Sequence, residues 1–216
     1  MNQTKQGAGG HGNSKVTRQD WLQLALETLI SDGVESVRVL NLGQKLGVSR
    51  SSFYWYFKSR EDLLDQLLCF WRDKNTRSLV EHASMPAADI VKAVVNIFKC
   101  WVDERLFDPR LDFAVRAWAR KSTVIRQALD EADECRVLAI RDMFQRHDYE
   151  AEDAFVRARV IYYMQIGYYA LELDEPMSER VKHIAAYLRS FTGVEPSETD
   201  VAEFVRHIEG MAGKRD

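Results

Sequence analysis

Residues 36–62, SVRVLNLGQKLGVSRSSFYWYFKSRED, crowd guanidinium, hydroxyl and aromatic side chains into one short stretch. A guanidinium can form a bidentate contact to a guanine edge, and small hydroxyl residues permit close approach to a groove. Tyr and Trp offer flat apolar surface with a polar tip. Arg50 therefore reads as a base contact, and Ser49, Ser51 and Ser52 as residues of close approach. Tyr54 and Trp55 suit sugar, phosphate or a thymine methyl, and Lys58 suits phosphate. Arg38, Lys45 and Arg60 are either phosphate contacts or solvated charges. Phe53, Tyr56 and Phe57 fall on the other side of the same segment and read as core. Nothing comparable suits catalysis. The histidines His11, His82, His147, His183 and His207 are scattered, and the chain has no HExxH, GxSxG or Walker loop. His147-Asp148 is either a partial metal site or a helix-end pair. The expectation is no catalytic residue, no metal and no cofactor.

Such side chains need a frame. Gly47-Val48-Ser49 reads as a tight turn between two short helices, Arg38–Leu46 and Ser49 to about Phe57, with Ser49 capping the second. That is helix-turn-helix chemistry, in which the second helix enters the major groove by its N-terminal end. Thr17 with Asp20 predicts a capping box for a preceding helix, striped by Leu22, Ala25, Leu26, Leu29 and Ile30 and stopped at Asp32-Gly33. Ser59 with Asp62 starts a fourth helix striped by Leu63, Leu64, Leu67, Leu68 and Trp71.

The pattern stays helical beyond it. One segment runs from Ile90 to Val102 and halts at Asp108-Pro109. Others cover Leu111–Ala119, a long stretch after the Ser122 cap, Glu152–Leu173 and Ser178–Phe191. A last one follows Pro196, with Ser197 and Asp200 as its cap pair. No segment offers a paired strand. The expected fold is all-α, with about nine to ten helices. Residues 1–15 form a flexible tail, either disordered or a minor-groove arm. Residues 16–62 form a three-helix DNA-binding domain. Residues 63–216 form a larger helical unit.

The net charge of −3 over 216 residues argues at first against a nucleic-acid partner. Its distribution reverses that. Residues 1–60 carry eight Lys or Arg against four acids, giving +4, and the remaining 156 residues carry −7. Cys69, Cys100 and Cys135 are far apart and odd in number, which suggests neither a disulfide framework nor a zinc site. With no apolar leader and no stretch of roughly 18 apolar residues, a cytoplasmic protein without a membrane partner is expected.

The run GVSRSSFYWYFKSREDLL resembles the signature of TetR-family transcriptional regulators, most specifically over Tyr56-Phe57-Lys58-Ser59-Arg60-Glu61-Asp62-Leu63-Leu64. The likeness is good over residues 17–70. Arg38 stands where the family often has Thr, and Leu42-Gly43 where it often has Ile-Ala. The resemblance implies a repressor that binds a palindromic operator in double-stranded DNA as a homodimer and is released by a small-molecule effector.

In the larger unit, Phe98, Trp101, Phe113, Arg116, Trp118, Tyr162 and Gln165 are the candidate effector contacts, because polar groups within apolar helix faces need partners. Arg116 either meets an acidic ligand group or pairs with Asp112 one turn earlier. Val160, Tyr163, Gly167 and Ala170, with Val181, Ile184 and Leu188 on the next helix, are the candidate dimer contacts. Two such helices from each chain would make a four-helix bundle. Two other classes stay open: a helical enzyme of glutathione-transferase-like or metal-dependent type, and a helix-turn-helix module without an effector.

Overall fold

The Thr17 backbone is extended, its hydroxyl accepts from the Asp20 amide, and the Asp20 carboxylate accepts from the Thr17 amide at 2.7 Å. This capping box starts α1 (Arg18–Asp32), which buries Trp21, Ala25, Leu26 and Leu29. The computed structural model describes residues 16–173 and 175–212, so the expected 1–15 tail lies outside the described residues. A 3₁₀ turn over Val34–Ser36 leads to α2 (Val39–Lys45), α3 (Arg50–Phe53) and α4 (Arg60–Trp71). The Ser59 hydroxyl accepts from the Asp62 amide to start α4. A π-helical turn, Arg72–Arg77, then carries the chain without a break into α5 (Ser78–Ser84).

Asp89 caps α6 (Ile90–Val102), and Asp108 caps α7 (Pro109–Ala119) with Pro109 in its first turn. Proline tolerates that position because its missing N–H would be unpaired there in any case. Ser122 caps α8 (Thr123–Gln145), which is followed by α9 (Ala151–Ala170). The chain ends in α10 (Met177–Arg180), a 3₁₀ turn over Val181–His183, α11 (Ile184–Thr192) and α12 (Glu198–Ala212). Ser197 accepts from the Asp200 amide ahead of α12. The described residues contain no strand.

Four spans differ from the sequence expectation. The second helix starts at Val39, with Arg38 in the extended cap position. The third is regular only through Phe53, and Tyr54 and Trp55 follow on a turn. The expected Ser178–Phe191 helix breaks at His183, where φ −104° and ψ 2° leave the helical region. Residues 72–84 were not expected as helix. There the buried Asn75 amide donates to the Asp108 carbonyl at 2.8 Å, so a tertiary bond sits where the sequence shows only polar residues.

Two hydrophobic cores result. One joins α1, α2, α3 and α4 to α7 and the first half of α8, through Trp21, Phe53, Leu63, Trp71, Val115 and Leu129 among others. The other joins α5, α6, α9, α11 and α12 to the second half of α8. The expected division at 62/63 thus falls inside α4, whose apolar face belongs to the first core together with α7.

A buried ionic cluster lies at the junction. Arg136 on α8 is fully buried. Its guanidinium carbon stands 5.1 Å from the Trp71 ring and 5.5 Å from the Phe107 ring. One of its amino groups donates to Asp112 at 3.0 Å and to the Tyr162 hydroxyl at 3.0 Å. Asp112 also accepts from the Trp71 indole and from Arg116, both at 2.8 Å. Burial pushes the Asp112 carboxyl up, but the Arg136 and Arg116 guanidiniums outweigh it and hold it below the ordinary carboxylate range. A depressed folded-state value stabilises the fold above the unfolded value of about 3.9 and ceases to as acid protonates the group. Breaking a buried pair on one side costs roughly 3–5 kcal/mol. Asp112→Asn is therefore expected to lose about that much stability at pH 7, with the gap to wild type narrowing below about pH 4. Urea unfolding at several pH values measures both.

Candidate functional site

Gly47 takes φ +67°, a backbone that L side chains rarely adopt, and makes the turn between α2 and α3. The Val48 amide then donates to the Gly43 carbonyl at 3.0 Å. A Cβ on Gly43 would lie 3.2 Å from the Val48 carbonyl oxygen and 3.5 Å from Trp21. Glycine at this position lets the turn fold tightly onto α2. Phe53 and Phe57 stack with ring centroids 5.0 Å apart and, with Trp21, lock α3 against α1. The Tyr56 hydroxyl donates to the Val16 carbonyl at 2.9 Å and ties the same segment to the start of α1.

The opposite side faces outward. Trp55 is 70% exposed and Tyr54 49%. An Arg50 amino group donates to the Tyr54 hydroxyl at 3.1 Å, and its guanidinium carbon lies 5.9 Å from that ring, so the cation is held out along the face of α3. The Ser49 and Ser51 hydroxyls share a hydrogen bond of 2.8 Å, and Ser52 donates to the Ser49 carbonyl. The Ser49 side chain therefore does not cap α3, although its backbone stands in the cap position. Arg38 is exposed, and its Nε donates to the Glu35 carbonyl at 2.8 Å. Lys45 is exposed beside Asp32 at 3.7 Å. Lys58 is exposed, while its amide donates to Asp62 at 2.8 Å. All nine expected DNA contacts thus sit on or beside the helix-turn-helix, none of them buried.

Arg60 is different. Its Nε donates to the Val37 carbonyl at 2.6 Å and an amino group to the Val34 carbonyl at 2.8 Å. This half-buried side chain staples the α1–α2 connection to α4 and is not simply a solvated charge. Its place in the motif was legible, but its partners are backbone carbonyls 23 and 26 residues away.

A cavity of about 310 Å³ lies among α6, α9, α11 and α12. That is at the small end of the range for ligand sites. Phe98, Trp101, Met164, Gln165, Tyr168, Tyr169, Tyr187, Leu188 and Phe204 line it, with Glu104, Glu175 and Arg180 as its charged groups. Burial, followed by the hydrogen bond to Glu175, pushes the Tyr168 hydroxyl up to about 12, so it stays protonated and donates.

Of the expected effector contacts, Phe98, Trp101 and Gln165 line this cavity. The other four do not. Phe113 and Trp118 lie in a separate groove against Leu29, Ile30 and Val34 of the first core. Arg116 is bound by Asp112 and, in bidentate fashion, by Asp133 at 2.8 and 2.7 Å. The Tyr162 hydroxyl donates to Asp133 at 2.6 Å in the same cluster. Charge pairing, not a ligand, satisfies both. Val181, Ile184 and Leu188, expected at a dimer face, line the cavity instead, with Ile184 and Leu188 buried within the chain. Tyr168, Tyr169, Arg180 and Phe204 were not singled out as contacts. Phe204 reaches the wall because α12 packs onto α6.

Residues 22–67 match the model of bacterial regulatory proteins of the tetR family. These residues are similar to the N-terminal domain of TetR-type regulators. The class C tetracycline repressor protein of Escherichia coli is 37% identical over 54 residues, 25% of each chain. The chain thus spans about a quarter of the length of the tetracycline repressors it matches. Beyond the TetR-type domain the likeness is one of fold. Reduced NemR of Escherichia coli aligns with a TM-score of 0.60 at 14% identity, covering 84% of this chain and 98% of that one. AmtR of Mycobacterium smegmatis aligns with a TM-score of 0.59 at 14% identity, covering 95% and 98%.

Removing the Arg60 staple from the TetR-type domain leaves two carbonyls without a charged donor. Hydrogen bonds to charged groups contribute about 1.5–3 kcal/mol. Arg60→Met is expected to lower stability by about that amount and to leave the cavity untouched. The urea midpoint of the full chain gives the value.

Proposed function

We propose that this protein is a DNA-binding transcriptional regulator, a repressor that holds a palindromic operator as a homodimer and is released by a small-molecule effector. One observation carries the reading. Arg50 on α3, and Tyr54 and Trp55 on the turn that follows it, stand exposed while Phe53 and Phe57 lock the other side of the segment. That arrangement suits insertion into a major groove. The TetR-family match over residues 22–67 supports the same partner. The cavity in the second core supports a small-molecule effector, and the chain has no helix among the described residues long and apolar enough to cross a membrane.

Dimerisation is supported by α9. Val156, Val160 and Tyr163 are about half exposed along one stripe. A Cβ on Gly167, further along the same helix, would meet nothing within 4 Å. An apolar stripe on the outer face of a helix is the mark of a partner helix. Ala170 lies exposed at its end.

Mobility shifts with DNA from upstream of the protein's own gene test the reading. Specific binding that weakens steeply with salt is expected, because phosphate contacts release counterions. Arg50→Ala is expected to cost about 1–3 kcal/mol at the cognate site and to relax preference at one base pair. A uniform loss across all sequences would make Arg50 a phosphate contact instead. Val160→Glu places a charge in the α9 stripe and is expected to turn the dimer into a monomer in sedimentation at micromolar concentration. A wild-type monomer under the same conditions overturns the dimer.

A further inference from the structure

The effector cavity already contains a cation from its own chain. The Arg180 guanidinium carbon stands 4.0 Å from the centroid of the Tyr168 ring. Its Nε donates to the Tyr168 hydroxyl and lies 3.8 Å from the Glu175 carboxylate. The Tyr168 hydroxyl in turn donates to Glu175 at 2.6 Å. An aromatic face with a carboxylate beside it attracts positive charge, and desolvation strengthens the attraction. Arg180 comes from α10, a helix of four residues followed by a 3₁₀ turn, so no long element fixes its position. The side chain is about one-third exposed. The guanidinium is thus a removable occupant of a built subsite.

The rest of the wall decides which ligand could replace it. Trp101, Tyr169, Tyr187 and Phe204 supply aromatic surface, and the Glu175 carboxylate stands beside Arg180. An anion would face that carboxylate and would have to draw Arg180 away from partners it already holds. A cation would inherit the Tyr168 ring and the Glu175 carboxylate. We propose that the cavity takes a planar aromatic cation and that Arg180 is an internal stand-in for its positive group, displaced on binding. This rests on the reading of the cavity as the effector site.

Fluorescence titration of the full chain, without DNA, tests it with two probes: thioflavin T, an aromatic cation, and 1-anilinonaphthalene-8-sulfonate, an aromatic anion. Thioflavin T is expected to saturate at micromolar concentration and to bind more tightly than the anion. Arg180→Ala and the milder Arg180→Gln should each tighten the cation by about fivefold, because the competitor is gone. Glu175→Gln should weaken it by about tenfold. Circular dichroism of each variant checks that the helices remain. Three results overturn the proposal: no saturable cation binding, tighter anion binding that Arg180→Ala weakens, or variants that leave both probes within twofold of wild type. Mobility shifts without dye report on DNA binding alone. Failure of the cation proposal is therefore distinguishable from failure of the regulator reading.

Discussion

Arg136 lies at zero exposure among Trp71, Phe107, Asp112 and Tyr162, and a cation buried so completely needs an opposite charge beside it. Asp112 supplies the match, and that carboxylate is in turn fixed by Trp71 and Arg116. Five segments meet at this point: the end of α4, the loop before α7, α7 itself, α8 and α9. The two hydrophobic cores are separate clusters, and this ionic knot is the polar joint between them. Thr76 extends it into the π-turn, where its hydroxyl accepts from Arg136 at 3.0 Å.

The joint also sets what the cavity can touch. Tyr169 lines the cavity and stacks on Phe107 with ring centroids 5.9 Å apart. Phe107 faces the Arg136 guanidinium, and Arg136 faces Trp71 at the end of α4. At its other end α4 follows directly on the recognition segment. Close-packed interiors resist deformation and pass displacement from one rigid element to the next. In the regulator reading, an effector changes DNA affinity only through two arrangements of the chain that bind it differently. The stack from Tyr169 to Trp71 is the contiguous material between the two sites.

The charge distribution fits the same division of labour. The first 60 residues are basic and the remainder acidic, so in the regulator reading a negatively charged duplex would be drawn to the first segment and repelled from the rest. The acidic segment supplies the Glu175 carboxylate beside Tyr168. A net charge near zero conceals two surfaces of opposite purpose.

The helix-turn-helix was legible because its determinants are local. Capping pairs such as Thr17 with Asp20 and Ser59 with Asp62, the Gly47 turn and the alternation of Phe53 with Tyr54 act over three or four residues, and their chemistry does not depend on distant chain. The aromatic richness of α6 and the interrupted face at Gln165 were legible on the same ground. Tertiary structure decided the rest. Arg116 and Arg60 are both guanidiniums within apolar surroundings, and only the fold reveals that one meets Asp133 and the other two backbone carbonyls. Ile184 and Leu188 carry the periodicity of a buried face, which is the same whether the cover comes from a second copy or from α6 and α9. A repeat of apolar residues specifies that a face must be covered, because the hydrophobic effect is non-directional. What covers it depends on where the chain returns, and that is set by long-range packing and charge pairing.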